Sequence, residues 1–136
     1  MIGSIIYPYL SGDTTISAIF GNRIYPLKMP EMSGRTDNIP FVRYEVMSIT
    51  PITHQGVHIP NNYIIDVGFG IYANTYLNIQ EYTWTLIQSL YKFRGNYSNT
   101  YNVRTGQLMD YAEDYVELVN LYGSVIQFQF NVQKIS

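Results

Sequence analysis

The feature that most restricts this chain is a strict alternation near its C-terminal end, where Ile126, Phe128, Phe130 and Val132 interleave with Gln127, Gln129, Asn131 and Gln133. A period of two sends successive side chains to opposite faces, so the run reads as a strand with one apolar face and one amide face. Two earlier runs behave the same way. Over 41–49, Val42, Tyr44 and Val46 oppose Arg43 and Glu45, and over 63–71 Tyr63, Ile65, Val67, Phe69 and Ile71 oppose Asp66, Gly68 and Gly70. The two glycines either bend that strand or admit another backbone close to it. A weaker alternation of Tyr115, Glu117, Val119 and Leu121 leads to Gly123-Ser124, which reads as a turn.

Half-buried strands need a cover, and the stretch 75–93 supplies one. Ile79, Tyr82, Leu86, Leu90 and Phe93 recur at three and four residues, Asn74 or Thr75 can cap the start, and Arg94-Gly95 ends the run. A shorter helix is predicted over 13–20, with Ser11 or Asp13 as its cap and Gly21 as its stop. Arg23-Ile24-Tyr25-Pro26 permits a brief extended piece, because Pro26 lacks an N–H and keeps Tyr25 out of the helical region. The segments 27–40 and 50–62 carry Pro30, Gly34, Pro40, Pro51, Gly56 and Pro60 and read as loops. The order predicts an α+β fold over 1–136 as one domain. Its expected form is a mostly antiparallel sheet of four or five strands, with one long helix packed on one face and a short N-terminal helix.

Charge is scarce: Asp, Glu, Lys and Arg make up 13% of 136 residues, against about 25% in an ordinary soluble domain. Polarity comes instead from 14 Tyr and 11 Asn, side chains suited to protein interfaces and to sugar-binding surfaces. A net charge of -2 with no basic run argues against binding nucleic acid through its phosphates. The absence of cysteine removes disulfides, thiolate metal sites and cysteine nucleophiles. Neither a signal peptide nor a membrane-spanning stretch is expected, and no membrane partner.

Few residues invite chemistry. His54 and His58 have the spacing of helical metal ligands, but the prolines and glycine around them make exposed loop histidines the plainer reading, with no metal expected. Asp110, Glu113, Asp114 and Glu117 form an acidic cluster without a calcium-loop pattern. It reads as a solvated acidic turn, or as a patch meeting Arg35, Arg94 or Arg104 of a neighbouring chain. No nucleophile elbow, phosphate loop or dinucleotide fingerprint is present, so neither an enzyme nor a cofactor is expected. Tyr72, Tyr97 and Tyr101 are the loop candidates for a sugar-binding face. The amide row Gln127, Gln129, Asn131 lacks the Lys or Glu that usually protects a solvated face, which suits burial against another chain as well as ordinary solvation.

The order of motifs also resembles a family. Ile-Ser-Ala-Ile-Phe-Gly-Asn-Arg-Ile-Tyr-Pro at 16–26 is similar to the opening of the phage tail completion proteins, also called tail terminator or head-tail joining proteins. Ile39-Pro40-Phe41-Val42-Arg43-Tyr44, the strand over 63–72, the helix ending Leu90-Tyr91-Lys92-Phe93-Arg94-Gly95, an acidic stretch and Gln127-Phe128-Gln129-Phe130 continue the likeness. The resemblance implies a structural virion protein of the tail or neck, assembled in the host cytoplasm. It would form a homo-oligomeric ring, usually a hexamer, with a dodecamer as the alternative. Such a ring caps the tail tube, meets the portal connector and lets DNA pass through its lumen without specific binding. Under that implication His54, His58, Asp110, Glu113, Asp114, Gln127, Gln129 and Asn131 are candidate contacts between subunits or toward the lumen. The alternative is a virion-associated sugar- or receptor-binding module using surface tyrosines.

Overall fold

A computed structural model of the chain describes residues 3–26, 39–52, 62–97, 100–117 and 120–134. Helices α1 (Gly3–Gly12) and α2 (Thr14–Phe20) lead into strands β1 (Ile24–Pro26), β2 (Phe41–Ile52) and β3 (Asn62–Ala73). Helix α3 (Tyr76–Tyr91) follows, then β4 (Gly95–Tyr97), β5 (Tyr101–Val116) and β6 (Leu121–Lys134). The strands form one six-stranded sheet in the order β1-β2-β3-β6-β5-β4. Every pairing is antiparallel except β1 with β2, which is parallel.

This corrects the expected architecture. The sheet has six strands and is mixed, where four or five mostly antiparallel ones were expected, and three short helices stand where one long and one short helix were expected. Helix α1 escaped the sequence reading because Pro8 sits inside it, removing one backbone donor from a helix only 10 residues long. The largest departure is β5. A weak strand over 115–121 was expected, yet one 16-residue strand runs from Tyr101 to Val116, and its end pairs Val116 with Leu121 of β6. Gly123-Ser124 lies inside β6 and turns nothing.

Local rules account for most termini. The Asp13 carboxylate caps α2 by accepting from the N–H groups of Thr15 at 2.9 Å and Ile16 at 3.3 Å. Gly21 closes the helix at φ 60°, a conformation other residues adopt at a cost. Thr75 caps α3 through the N–H of Asn78.

The register fixes two unlike faces. Ile65, Val67, Phe69 and Ile71 of β3 stand beside Phe130, Phe128, Ile126 and Ser124 of β6, and α1, α2 and α3 bury this face with Ile6, Leu10, Ile16, Phe20, Ile79, Leu86 and Leu90. Each such side chain removed from water contributes about 1.5–3 kcal/mol. Thr83 of α3 reconciles its hydroxyl with this apolar layer by hydrogen bonding to the Ile79 carbonyl and the Ser124 hydroxyl.

Candidate interaction site

The opposite face carries the amide row. Gln127, Gln129 and Asn131 lie in register with Asp110, Gln107 and Thr105 of β5 on one side and with Gly68, Asp66 and Ile64 of β3 on the other. Their side chains are half-buried, and the burial comes from their neighbours in the sheet. Asp66 accepts from Gln129 Nε2 at 3.1 Å and from the Ser48 hydroxyl at 2.8 Å, so a polar row crosses β2, β3 and β6. At one end of this face Phe41 and Tyr72 stack with centroids 4.9 Å apart, and Leu121 completes a small apolar cluster. Gly70 and Gly123 make room for that ring: a Cβ at either would come within 3.1 or 3.0 Å of Tyr72. The glycine at 70 therefore admits a side chain, and no second backbone is involved.

The acidic residues do not form a single cluster. Asp110, Glu113 and Asp114 stand on strand β5, with Glu117 just beyond it, where a solvated turn was expected. Alternation puts Asp110 and Asp114 on the amide face, opposite Gln127 and Gly123, while Glu113 lies opposite Ser124 on the helix-bearing face. Among the described residues no group of three or more His, Asp or Glu side chains could hold a metal ion. His54 and His58 lie outside the described residues.

Glu113 organises a tyrosine cluster at the tip of the β5–β6 hairpin. Its two oxygens accept from the hydroxyls of Tyr76, at 2.8 Å, and Tyr111, at 2.7 Å. These bonds hold its carboxyl below the usual carboxylate range. Tyr111 is pushed up to about 12, first by burial and then by the hydrogen bond and negative charge of Glu113. Tyr122 packs edge-on to Tyr76 and, at 4.9 Å, against Tyr115. Tyr76, Tyr111 and Tyr115 remain 47%, 41% and 43% exposed, so the tip is both aromatic and acidic.

Asp110 and Asp114 do different work. Each accepts the N–H of the following residue, Tyr111 at 2.8 Å and Tyr115 at 2.7 Å. The Tyr91 hydroxyl accepts the N–H of Leu108 at 3.2 Å. Strand β4 covers β5 only over 101–103, so beyond it these are donors of the sheet edge, and side chains occupy three of them.

Two concave regions accompany these surfaces. A groove of about 320 Å³ between α3 and β5 is lined by Gln80, Thr83, Trp84, Ile87, Leu108 and Tyr111. A cavity of about 370 Å³ near the opposite end of β5 is lined by Ile5, Pro8, Tyr9, Gly12, Asp13 and Tyr97. The tyrosines named for a sugar-binding face do not form one. Tyr72 and Tyr101 are buried, and Tyr97 is half-buried against Tyr9 and Phe93. Among the described residues the exposed aromatics are Tyr7 on α1, Tyr76, Trp84 and Tyr91 on α3 and Tyr111 and Tyr115 on β5, and the alternation that would have revealed β5 is absent because its outer half is wet on both faces.

The chain is thus a six-stranded mixed sheet with three helices packed on one face and exposed tyrosines and carboxylates along the outer half of β5. The chain is similar in fold to a chain of a structure described as the virion of a native gene transfer agent particle, with TM-score 0.72 and 12% identity over 93% of this chain and 90% of that one. At that identity the likeness speaks for the fold. No protein-family model and no curated protein matches the sequence.

Proposed function

We propose that this chain is a structural subunit of a phage-like virion. In this reading it forms a ring at the head-tail interface that closes the tail tube, meets the portal connector and leaves a path for DNA. The observation that carries the reading is the likeness, over nearly the full length of both chains, to a protein of a gene transfer agent virion. The ordered tail-completion motifs, from Gly21-Asn22-Arg23-Ile24-Tyr25-Pro26 to the final alternating strand, support its finer part. The role is non-catalytic, and Asp110, Glu113, Asp114, Gln127, Gln129 and Asn131 serve as contacts between subunits or toward the lumen. A net charge of -2 suits a channel past which DNA must slide without being held.

Peptide mass fingerprinting of purified particles tests the virion assignment, and native mass measurement of the protein released from them tests the ring. Absence from particles would overturn the first. A released protein that is monomeric throughout, including in the presence of tail tubes, would overturn the second.

A further inference from the structure

The groove between α3 and β5 has aromatic walls and a carboxylate at its side. Trp84 of α3, 60% exposed, and Tyr111 of β5 line a hollow of about 320 Å³ together with Gln80, Thr83, Ile87 and Leu108. Glu113 is bonded to two of these walls, accepting from the Tyr111 hydroxyl at 2.7 Å and from the Gln80 amide, and it also accepts from Tyr76 at 2.8 Å. It remains exposed. Tyr111 and Glu113 share the helix-bearing face of β5, opposite Ile126 and Ser124, whereas Asp110 and Asp114 lie on the other face and take no part. No cation on either wall offsets the charge. Helix α3 contains neither Lys nor Arg, with Glu81 as its one charged residue, and β5 contains neither from Thr105 to Val116.

We propose that this groove receives an arginine side chain carried by a segment of another protein of the particle, its guanidinium laid against Trp84 and Tyr111 and donating to Glu113. Charge and shape select that group. A guanidinium is planar and weakly hydrated, so it stacks on aromatic faces while its N–H groups reach a carboxylate. An anion would meet Glu113 with no cation beside it, and a neutral sugar or apolar side chain would cover a negative charge without compensating it. A strand added along β5 is opposed, because the N–H groups of Leu108, Tyr111 and Tyr115 are already taken up by Tyr91, Asp110 and Asp114. Recognition therefore falls to side chains. A second copy is a poor source: Arg23 gives its guanidinium to the Pro40 and Ile19 carbonyls, Arg43 pairs with Glu45 and Arg104 donates to Gln133, which leaves only Arg94 uncommitted among the described arginines. That the segment belongs to a different virion protein rests on the virion reading, whereas the preference for arginine does not. Glu113, counted above among contacts between subunits, is thereby assigned a partner of different sequence.

Trp84 is the only tryptophan in the chain, so its fluorescence reports on the groove without background. Titration with a blocked Ser-Arg-Ser-Arg-Ser peptide is expected to change the emission saturably, and the same peptide with lysine or citrulline in place of arginine should bind at least tenfold more weakly. Glu113→Gln, a variant of equal size whose folding is checked by its thermal midpoint, should weaken the arginine peptide by a similar factor. No response to the arginine peptide would overturn the proposal, as would equal binding of the three peptides or a response to methyl glucoside instead. The source is read in particles. Gln88→Cys puts a thiol at an exposed position one helical turn from Trp84, in a chain with no other cysteine. A benzophenone attached there should cross-link, on irradiation, to an arginine-bearing segment of a different protein, and cross-linking to a second copy alone would overturn the assigned partner. A chain absent from particles that still selects the arginine peptide would remove the virion reading and keep the arginine site. A chain present in particles that fails to select it would do the reverse.

Discussion

Single residues here do unusually separable work. Asp13 ends one helix and ties it to another, since one oxygen receives the α2 N–H groups and the other receives Ser89 of α3. Burial alone would raise its pKa, but these hydrogen bonds and Lys92 outweigh that and lower it. A carboxyl depressed on folding stabilises the protein above its unfolded pKa and loses that contribution as pH falls through its folded pKa. Asp13→Ala should therefore cost about 0.5–2 kcal/mol at neutral pH and flatten the acid limb of the stability curve, as read by urea unfolding at a series of pH values. Glu113 gives a second, spectroscopic prediction. Glu113→Gln removes the charge that helps hold Tyr111 near 12, so its phenolate absorbance should rise at lower pH than in the wild type. An unchanged titration would mean that burial alone sets it.

At the scale of elements, α3 clamps the sheet through close contact at β5 and β6. A Cβ added at Gly106 would lie 2.9 Å from Phe130 Cε1 and 3.5 Å from the Leu90 carbonyl oxygen. Phe130 is fully buried and packed on Phe93 and Phe128, so it cannot yield freely. Gly106→Ala should destabilise by about 1–3 kcal/mol, measured as a lowered thermal midpoint with the helix content retained. The elements legible in the sequence are those buried on one face only: β2, β3 and β6 announce themselves by alternation, and α3 by its apolar stripe. Strand β5 was illegible for two physical reasons. Its outer half has no buried face to impose a pattern, and irregularities between Val103 and Thr105 and between Leu108 and Asp110 shift its register twice. Strand β4 has three residues, too few for any period to show, whereas the equally short β1 was legible as an extended piece from Pro26 and its effect on Tyr25. The candidate site shared this fate, because its acidic residues were visible as a cluster while their division between two faces depended on seeing β5 as a strand.

For the whole molecule, the amide face poses the sharpest question. Gln129→Lys would set a cation beside Asp66, which can accept it as it accepts the glutamine, so the fold should keep its thermal midpoint. If that face is buried between subunits in a ring, the variant should fail to assemble or to enter particles. Wild-type incorporation would place the face in solvent.

The occupied edge donors of β5 also bear on how the chain behaves at high concentration. A long bare strand edge is a template for fibres, and this one contains neither proline nor lysine over 104–117 to spoil it. With Asp110, Asp114 and Tyr91 holding its outward N–H groups, the chain resists pairing edge to edge with its own copies at high concentration. Replacing those caps would raise the tendency to form fibres before it altered the folded shape.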